Sequence, residues 1–153
     1  MRGIPEETQS RMTLTHDRRT ELIASCPLFQ GVEAEHLAAV GEKATEVEYP
    51  AGRVIVQQGE IGTGFFIIVE GRARVVRDNE VLASLGPGDF FGELSVLDRR
   101  PRVAQVVTEE PTRCLALASW DFEQVLLDHP ALALAILRGL AGRLRAVTEH
   151  HRY

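Results

Sequence analysis

The residues best suited to chemistry lie in one run, Phe90-Phe91-Gly92-Glu93-Leu94-Ser95-Val96-Leu97-Asp98-Arg99-Arg100-Pro101-Arg102-Val103-Ala104, which does not read as an ordinary turn. Gly92 opens it, Glu93 to Leu97 can make one or two helical turns, and a strand is expected from Arg102. A short helix after a glycine presents backbone N–H groups and the positive end of its dipole, a small cradle for an anion such as phosphate. In the expected strand Arg102 shares a face with Ala104 and Val106, both apolar, so its guanidinium is expected to point inward. An inward charge is costly unless paired, and the nearest carboxylate in sequence is Glu93. Two arrangements satisfy it. One is an internal Arg102–Glu93 ion pair; the other is a ligand whose phosphate meets Arg102 while its hydroxyls donate to Glu93. The residues alone leave both open, because structural ion pairs give the same pattern.

What must position this run is a mostly β domain. At 153 residues and 16.9 kDa, with 44% hydrophobic and 25% charged residues, the chain has room and composition for one packed domain. From about Glu46 to Leu117 short runs rich in valine and isoleucine recur between turn signals such as Pro50-Ala51-Gly52, Gly59-Glu60-Ile61-Gly62, Asp78-Asn79 and Gly86-Pro87-Gly88-Asp89. Such punctuation predicts an antiparallel sandwich or barrel, with strands at about 44–49, 53–58, 64–70, 72–77, 80–85, 102–108 and 112–117. Helical periods flank it. Leu22 and Ile23 belong to one predicted helix and Leu37 and Val40 to a second, broken at Cys26-Pro27-Leu28-Phe29-Gln30-Gly31. After the strands, Ser119 is expected to cap a helix to about Leu127, and Pro130 suits the first turn of a longer one reaching about His150. Along that helix Ala133, Leu137, Leu140, Leu144 and Val147 form an apolar stripe, read equally as a cover for the barrel or as a dimer seam. The organisation is thus a flexible lead-in at 1–14 and one domain at 15–153, made of a helical segment 15–43, a β-roll 44–118 and C-terminal helices 119–151.

Other chemistries find no residues. A net charge of −5 argues against a broad nucleic-acid or anionic-membrane surface, although a local anion site is compatible with it. The longest apolar run, Ala131 to Leu137, ends at Arg138, and the N-terminus lacks an apolar signal core, so a soluble, cytoplasmic protein is expected. Cys26 and Cys114 match no metal or redox spacing and read as reduced packing thiols. All five histidines (His16, His36, His129, His150 and His151) fall in the flanking segments, where ordinary surface positions explain them. A metal enzyme built inside a barrel needs histidines on the strands, and no metal is expected. A nucleophile elbow, a P-loop and a dinucleotide fingerprint are also missing, so no enzyme activity is expected.

Phe91-Gly92-Glu93-Leu94 followed by Pro101-Arg102-Val103-Ala104 resembles the phosphate-binding cassette of cyclic-nucleotide-binding domains. Gly59-Glu60-Ile61-Gly62 before Phe66-Ile67-Ile68 and Gly71 is similar to a second signature of that family. The resemblance runs from about Cys26 to the C-terminus. It implies an antiparallel jelly-roll barrel, a double-stranded β-helix, with a leading helical segment and two trailing helices, the last a lid over the base. It also implies that Arg102 binds the exocyclic phosphate oxygens with the backbone N–H groups of Ser95 and Val103, and that Glu93 takes the ribose 2′-hydroxyl within a turn formed by Gly92 and Leu94. Ala104 completes the motif, and Arg143 stands where some channel members place a lid arginine, against the alternative of a solvated helix charge.

Two positions depart from the family pattern. Val103 replaces an alanine or threonine, which removes the hydroxyl that favours cGMP, and Thr63 replaces a common aspartate in the turn after Gly62. The resemblance therefore implies a regulatory sensor with cAMP preferred over cGMP as ligand and an unidentified protein effector, while the apolar stripe gives a homodimer through the C-terminal helix as a further option. Because helix-turn-helix, channel and inhibitor segments are not seen, a free-standing sensor or a domain excised from a larger protein is expected. The alternative is a degenerate jelly roll kept for protein interaction or dimerisation without a physiological nucleotide.

Overall fold

The structure, a computed structural model, describes residues 13–62, 64–92 and 98–151. The expected lead-in up to residue 12, Thr63 and the expected short helix at Glu93 to Leu97 lie outside the described residues. Helix α1 (His16–Ala24) starts where the Thr15 hydroxyl accepts the Arg18 N–H at 3.1 Å, and it ends ahead of Cys26-Pro27. A 3-10 turn (Pro27–Phe29) and α2 (Ala34–Lys43) follow. The C-terminal carbonyls of α2 are capped from α1, since Arg19 Nη1 donates to Gly41 O and Ala44 O at 2.6 Å each. Glu46 collects the same corner, accepting the Leu14 N–H at 2.9 Å and pairing with Arg19 at 3.7 Å and with buried Arg113 at 3.2 Å.

Among the described residues eight strands follow: β1 (Thr45–Tyr49), β2 (Val54–Val56), β3 (Gly64–Glu70), β4 (Ala73–Arg77), β5 (Glu80–Leu85), β6 (Phe90–Phe91), β7 (Gln105–Thr108) and β8 (Thr112–Ala118). They form two four-stranded sheets, ordered β1-β8-β3-β6 and β2-β7-β4-β5, every pairing antiparallel. This is the jelly-roll architecture with flanking helices. Asp78 and Asn79 take left-handed φ of 51° and 67°, as the tight β4–β5 hairpin turn requires. Helices α3 (Ser119–Asp128) and α4 (Pro130–His151) follow the strands, and their axes diverge by 109° at His129. Among the described residues no single helix is long and apolar enough to cross a membrane.

β3 and β8 are buried on both faces, which is why they read as almost continuous apolar runs. Period-two alternation sends Phe65, Ile67, Leu115 and Leu117 to the helices, and Ile68 and Cys114 to the interior of the roll. On the helical side Phe29, Phe65 and Phe122 form an aromatic cluster with ring centroids 5.5–6.3 Å apart. Inside the roll Val56, Ile68, Ala73, Phe91, Val106 and Cys114 make a second core. Both cysteines are buried, and burial pushes the Cys114 thiol up to about 12, consistent with packing thiols.

Four local expectations need correction. The strand expected at 102–108 begins only at Gln105, and Arg102 lies before it in an irregular segment. The two-residue strand β6, paired to Phe66 and Ile67, was not foreseen because so short a segment has no periodicity to read. Ser119 is the first residue of α3 rather than its cap, since β8 runs directly into the helix and the extended Ala118 occupies the cap position. The α4 residues in the core are Leu132 and Ile136, whereas Leu137, Leu144 and Val147 are 55–68% exposed. The early turns of α4 pack on the 3-10 turn, and beyond the half-buried Leu140 residues 141–148 are exposed. Of the two roles read from the four-and-three stripe, cover or dimer seam, the cover is met only in part, by Leu140.

Candidate functional site

Arg102 is placed by a turn distant in sequence. Its N–H donates to Glu60 O at 2.8 Å, Gly59 N–H donates to Arg102 O at 2.8 Å, and Ile61 pairs with Pro101 in an antiparallel bridge. The Gly59–Gly62 turn between β2 and β3 is thus zipped along the segment that carries the arginine. The guanidinium then reaches across β3, with Nη2 donating to Gly64 O at 2.7 Å. Glycines make this reach possible. A Cβ at Gly62 would overlap the guanidinium, and one at Gly92, whose φ is +91°, would stand 2.7 Å from Nη1 and 3.0 Å from Gly64 O. The planar group is held in a slot between the two glycines, half-buried rather than sunk among Ala104 and Val106.

Two cavities open beside this slot, and Arg102 lines both. The larger, about 750 Å³, has an apolar floor that includes Val56, Val75, Leu85, Phe91 and Val106, with Gly92, Arg102, Val103 and Ala104 at its polar end. That volume falls in the range of small-ligand sites, and an apolar wall with a few convergent polar groups is their usual composition. The smaller, about 310 Å³, lies on the Gly62–Gly64 side and is bordered by Glu60, Trp120 and Asp121. Asp98, Arg100 and Pro101 line the larger cavity as well, and Arg99 reaches Glu123 on α3 in an exposed ion pair of little energetic weight.

Of the site residues expected from sequence, Gly92, Arg102, Val103 and Ala104 come together at the larger cavity. Val103 is 68% exposed there, leaving its side chain open to solvent. Glu93, Leu94 and Ser95 lie outside the described residues. Arg143 is exposed on α4, and no described residue of α4 lines either cavity. Sequence reasoning missed Gly62 as a wall of the arginine slot, Gly64 O as the acceptor of its guanidinium, and the apolar floor. The glycine spacing at 59, 62 and 64 was a usable signal, and so was the alternation that sends Val75 and Val106 inward.

The sequence pattern of the cyclic nucleotide-binding domain matches residues 46–129, which run from within β1 through the end of α3 and include every residue lining the larger cavity. The chain is 32% identical over 135 residues to the CRP-like cAMP-activated global transcriptional regulator of Mycobacterium tuberculosis, an alignment covering 85% of this chain and 60% of that protein. It is 35% identical over 124 residues to the cyclic AMP receptor protein of Thermus thermophilus, covering 78% of this chain and 57% of that one. The chain thus spans about 60% of the length of these curated relatives. The crystal structure of the N-terminal domain of a transcriptional regulator from Streptomyces coelicolor superposes with a TM-score of 0.76 at 29% identity, covering 84% of this chain and 93% of that chain. With the matched segment exceeding half the chain and a jelly roll holding an arginine between glycines at a ligand-sized cavity, this protein belongs to the cyclic-nucleotide-binding domain family.

Proposed function

We propose that the chain is a non-enzymatic sensor module that binds cAMP in preference to cGMP and needs no cofactor or metal to do so. The observation that carries this reading is the Arg102 guanidinium held between Gly62 and Gly92 at the mouth of the 750 Å³ cavity. A planar guanidinium suits a phosphate bidentately, and the apolar floor suits the rest of a nucleotide. In this reading Arg102 takes the exocyclic phosphate oxygens with the Ser95 and Val103 N–H groups, and Glu93 takes the ribose 2′-hydroxyl within the Gly92–Leu94 turn. Titration calorimetry of the intact chain is the test, with micromolar or tighter cAMP binding expected. A tenfold preference for cGMP overturns the assignment of ligand. Val103 offers an apolar contact and no hydroxyl, so Val103→Thr is expected to raise the affinity for cGMP relative to cAMP by up to about 1.5 kcal/mol, the scale of one net hydrogen bond.

Binding is read out through α4. That helix rests on the core by Leu132 and Ile136, while Leu137, Leu144 and Val147 remain exposed, so its distal half is available to close on the cavity. Closure brings the Arg143 guanidinium toward the base and links helix position to affinity. Hydrogen exchange is expected to slow over 130–148 when cAMP binds; protection confined to 98–108 makes α4 a structural helix only. A protein effector would read the change. The same exposed leucines favour a second reading, a homodimer joined along α4, either as part of the sensor or as the whole function of a module without nucleotide. Sedimentation with and without cAMP separates them.

A further inference from the structure

Away from both cavities, two histidines expected to be ordinary surface residues meet. His36, in the first turn of α2, and His129, between α3 and α4, bring their Nδ1 atoms to 3.2 Å, with ring centroids 5.2 Å apart and planes at 73°. Both side chains are half-buried, and both are presented by fixed backbone. His36 N–H donates to Glu33 O at 3.0 Å, His129 N–H donates to Val125 O at 2.9 Å, and Leu132 N–H donates to His129 O at 2.9 Å. Neighbouring Leu37 and Leu132 are 5% and 0% exposed, so the core holds both elements in place.

A direct contact between two imidazoles requires one nitrogen to donate and the other to accept. The same spacing has a second use. Two nitrogens held at zinc distances and a tetrahedral angle stand about 3.3 Å apart, and with each lone pair directed along its ring the ring centres fall about 5 Å apart. Both separations match this pair.

We propose that His36 and His129 chelate a divalent transition metal of the zinc, nickel and copper class, which ties α2 to the α3–α4 elbow. Neutral imidazole selects such ions over hard cations like Mg²⁺. Among the described residues no third His, Cys, Asp or Glu joins them, so water or an outside group fills the remaining positions. Two protein ligands set the affinity in the micromolar range, well short of a closed structural zinc site. Neither histidine lines either cavity.

The experiment takes the intact chain, stripped with a chelator, and titrates it with Zn²⁺, Ni²⁺, Cu²⁺ and Mg²⁺ by calorimetry and thermal melting. One equivalent is expected, Cu²⁺ tightest, with no response to Mg²⁺. Metal at a hundredfold excess over its Kd should raise the Tm by about 5–10 °C. His36→Ala, His36→Gln and His129→Ala should each weaken binding at least tenfold; their metal-free melts report folding, and His36→Gln retains a polar side chain on the helix. His150 and His151, adjacent in sequence, are replaced together as a control and should leave uptake unchanged. Uptake that follows His150 and His151, that survives the His36 and His129 variants, or that is missing at 100-fold molar excess of Zn²⁺ overturns the proposal.

Discussion

Arg102→Ala is expected to lower cAMP affinity at least tenfold while leaving the barrel folded. Hydrogen bonds to charged groups are worth about 1.5–3 kcal/mol each, and 1.4 kcal/mol is a factor of ten in Kd, so losing even one such contact reaches this threshold. The guanidinium also has an internal role, donating to Gly64 O at 2.7 Å, and its removal gives up that bond. The side chain is half-buried, which limits the cost to folding, and each net hydrogen bond given up costs about 1 kcal/mol. A fall in Tm of only a few degrees beside a large loss of affinity is therefore the expected signature. Arg102→Lys keeps the charge but not the planar fork, and is expected to recover only part of the affinity. Wild-type affinity in Arg102→Ala would place the ligand away from both cavities, since Arg102 lines each of them.

The second large effect is on stability. Phe122→Ala removes a ring that is 1% exposed, lies 5.5 Å from Phe65 and 6.3 Å from Phe29, and meets both edge-on. Deleting a fully buried phenyl group costs about 3–5 kcal/mol, through lost burial and the cavity left behind. For a chain of this size that corresponds to a Tm lower by roughly 6–20 °C. The consequence reaches beyond stability, because Phe122 fastens α3 to β3 and to the 3-10 turn, and α3 leads through His129 into α4. Trp120, two residues earlier and 65% exposed, is the internal control, and Trp120→Ala should cost far less. Thermal and denaturant melts of the two variants compare them directly. A loss below about 1 kcal/mol for Phe122→Ala would show that the aromatic cluster does not hold the helix.

Much of the fold was legible because it rests on short-range signals. Alternation and turn residues mark β3, β4, β5 and β8 to within a residue or two, and Pro130 marks the start of α4. Asp78-Asn79 encodes a hairpin, since few residue types accept two successive left-handed conformations. The run from Gly92 to Arg102, with the glycine turn at 59–62, was sufficient to suggest the family. Other features depend on partners far along the chain, and no local pattern contains them. Arg102 owes its orientation to Gly59 and Glu60 rather than to strand alternation, which extends only as far as the ladder that begins at Gln105. The face of α4 that enters the core is set by its packing against the 3-10 turn and α3, and an amphipathic spacing of four and three fits more than one face. His36 and His129 are 93 positions apart, so only the packing of α2 beside the α3–α4 elbow brings their nitrogens together. Propensity and periodicity are properties of neighbouring residues, sufficient to choose helix, strand or turn. The surroundings of a side chain come from chain segments brought together by the core, and only the tertiary structure decides them.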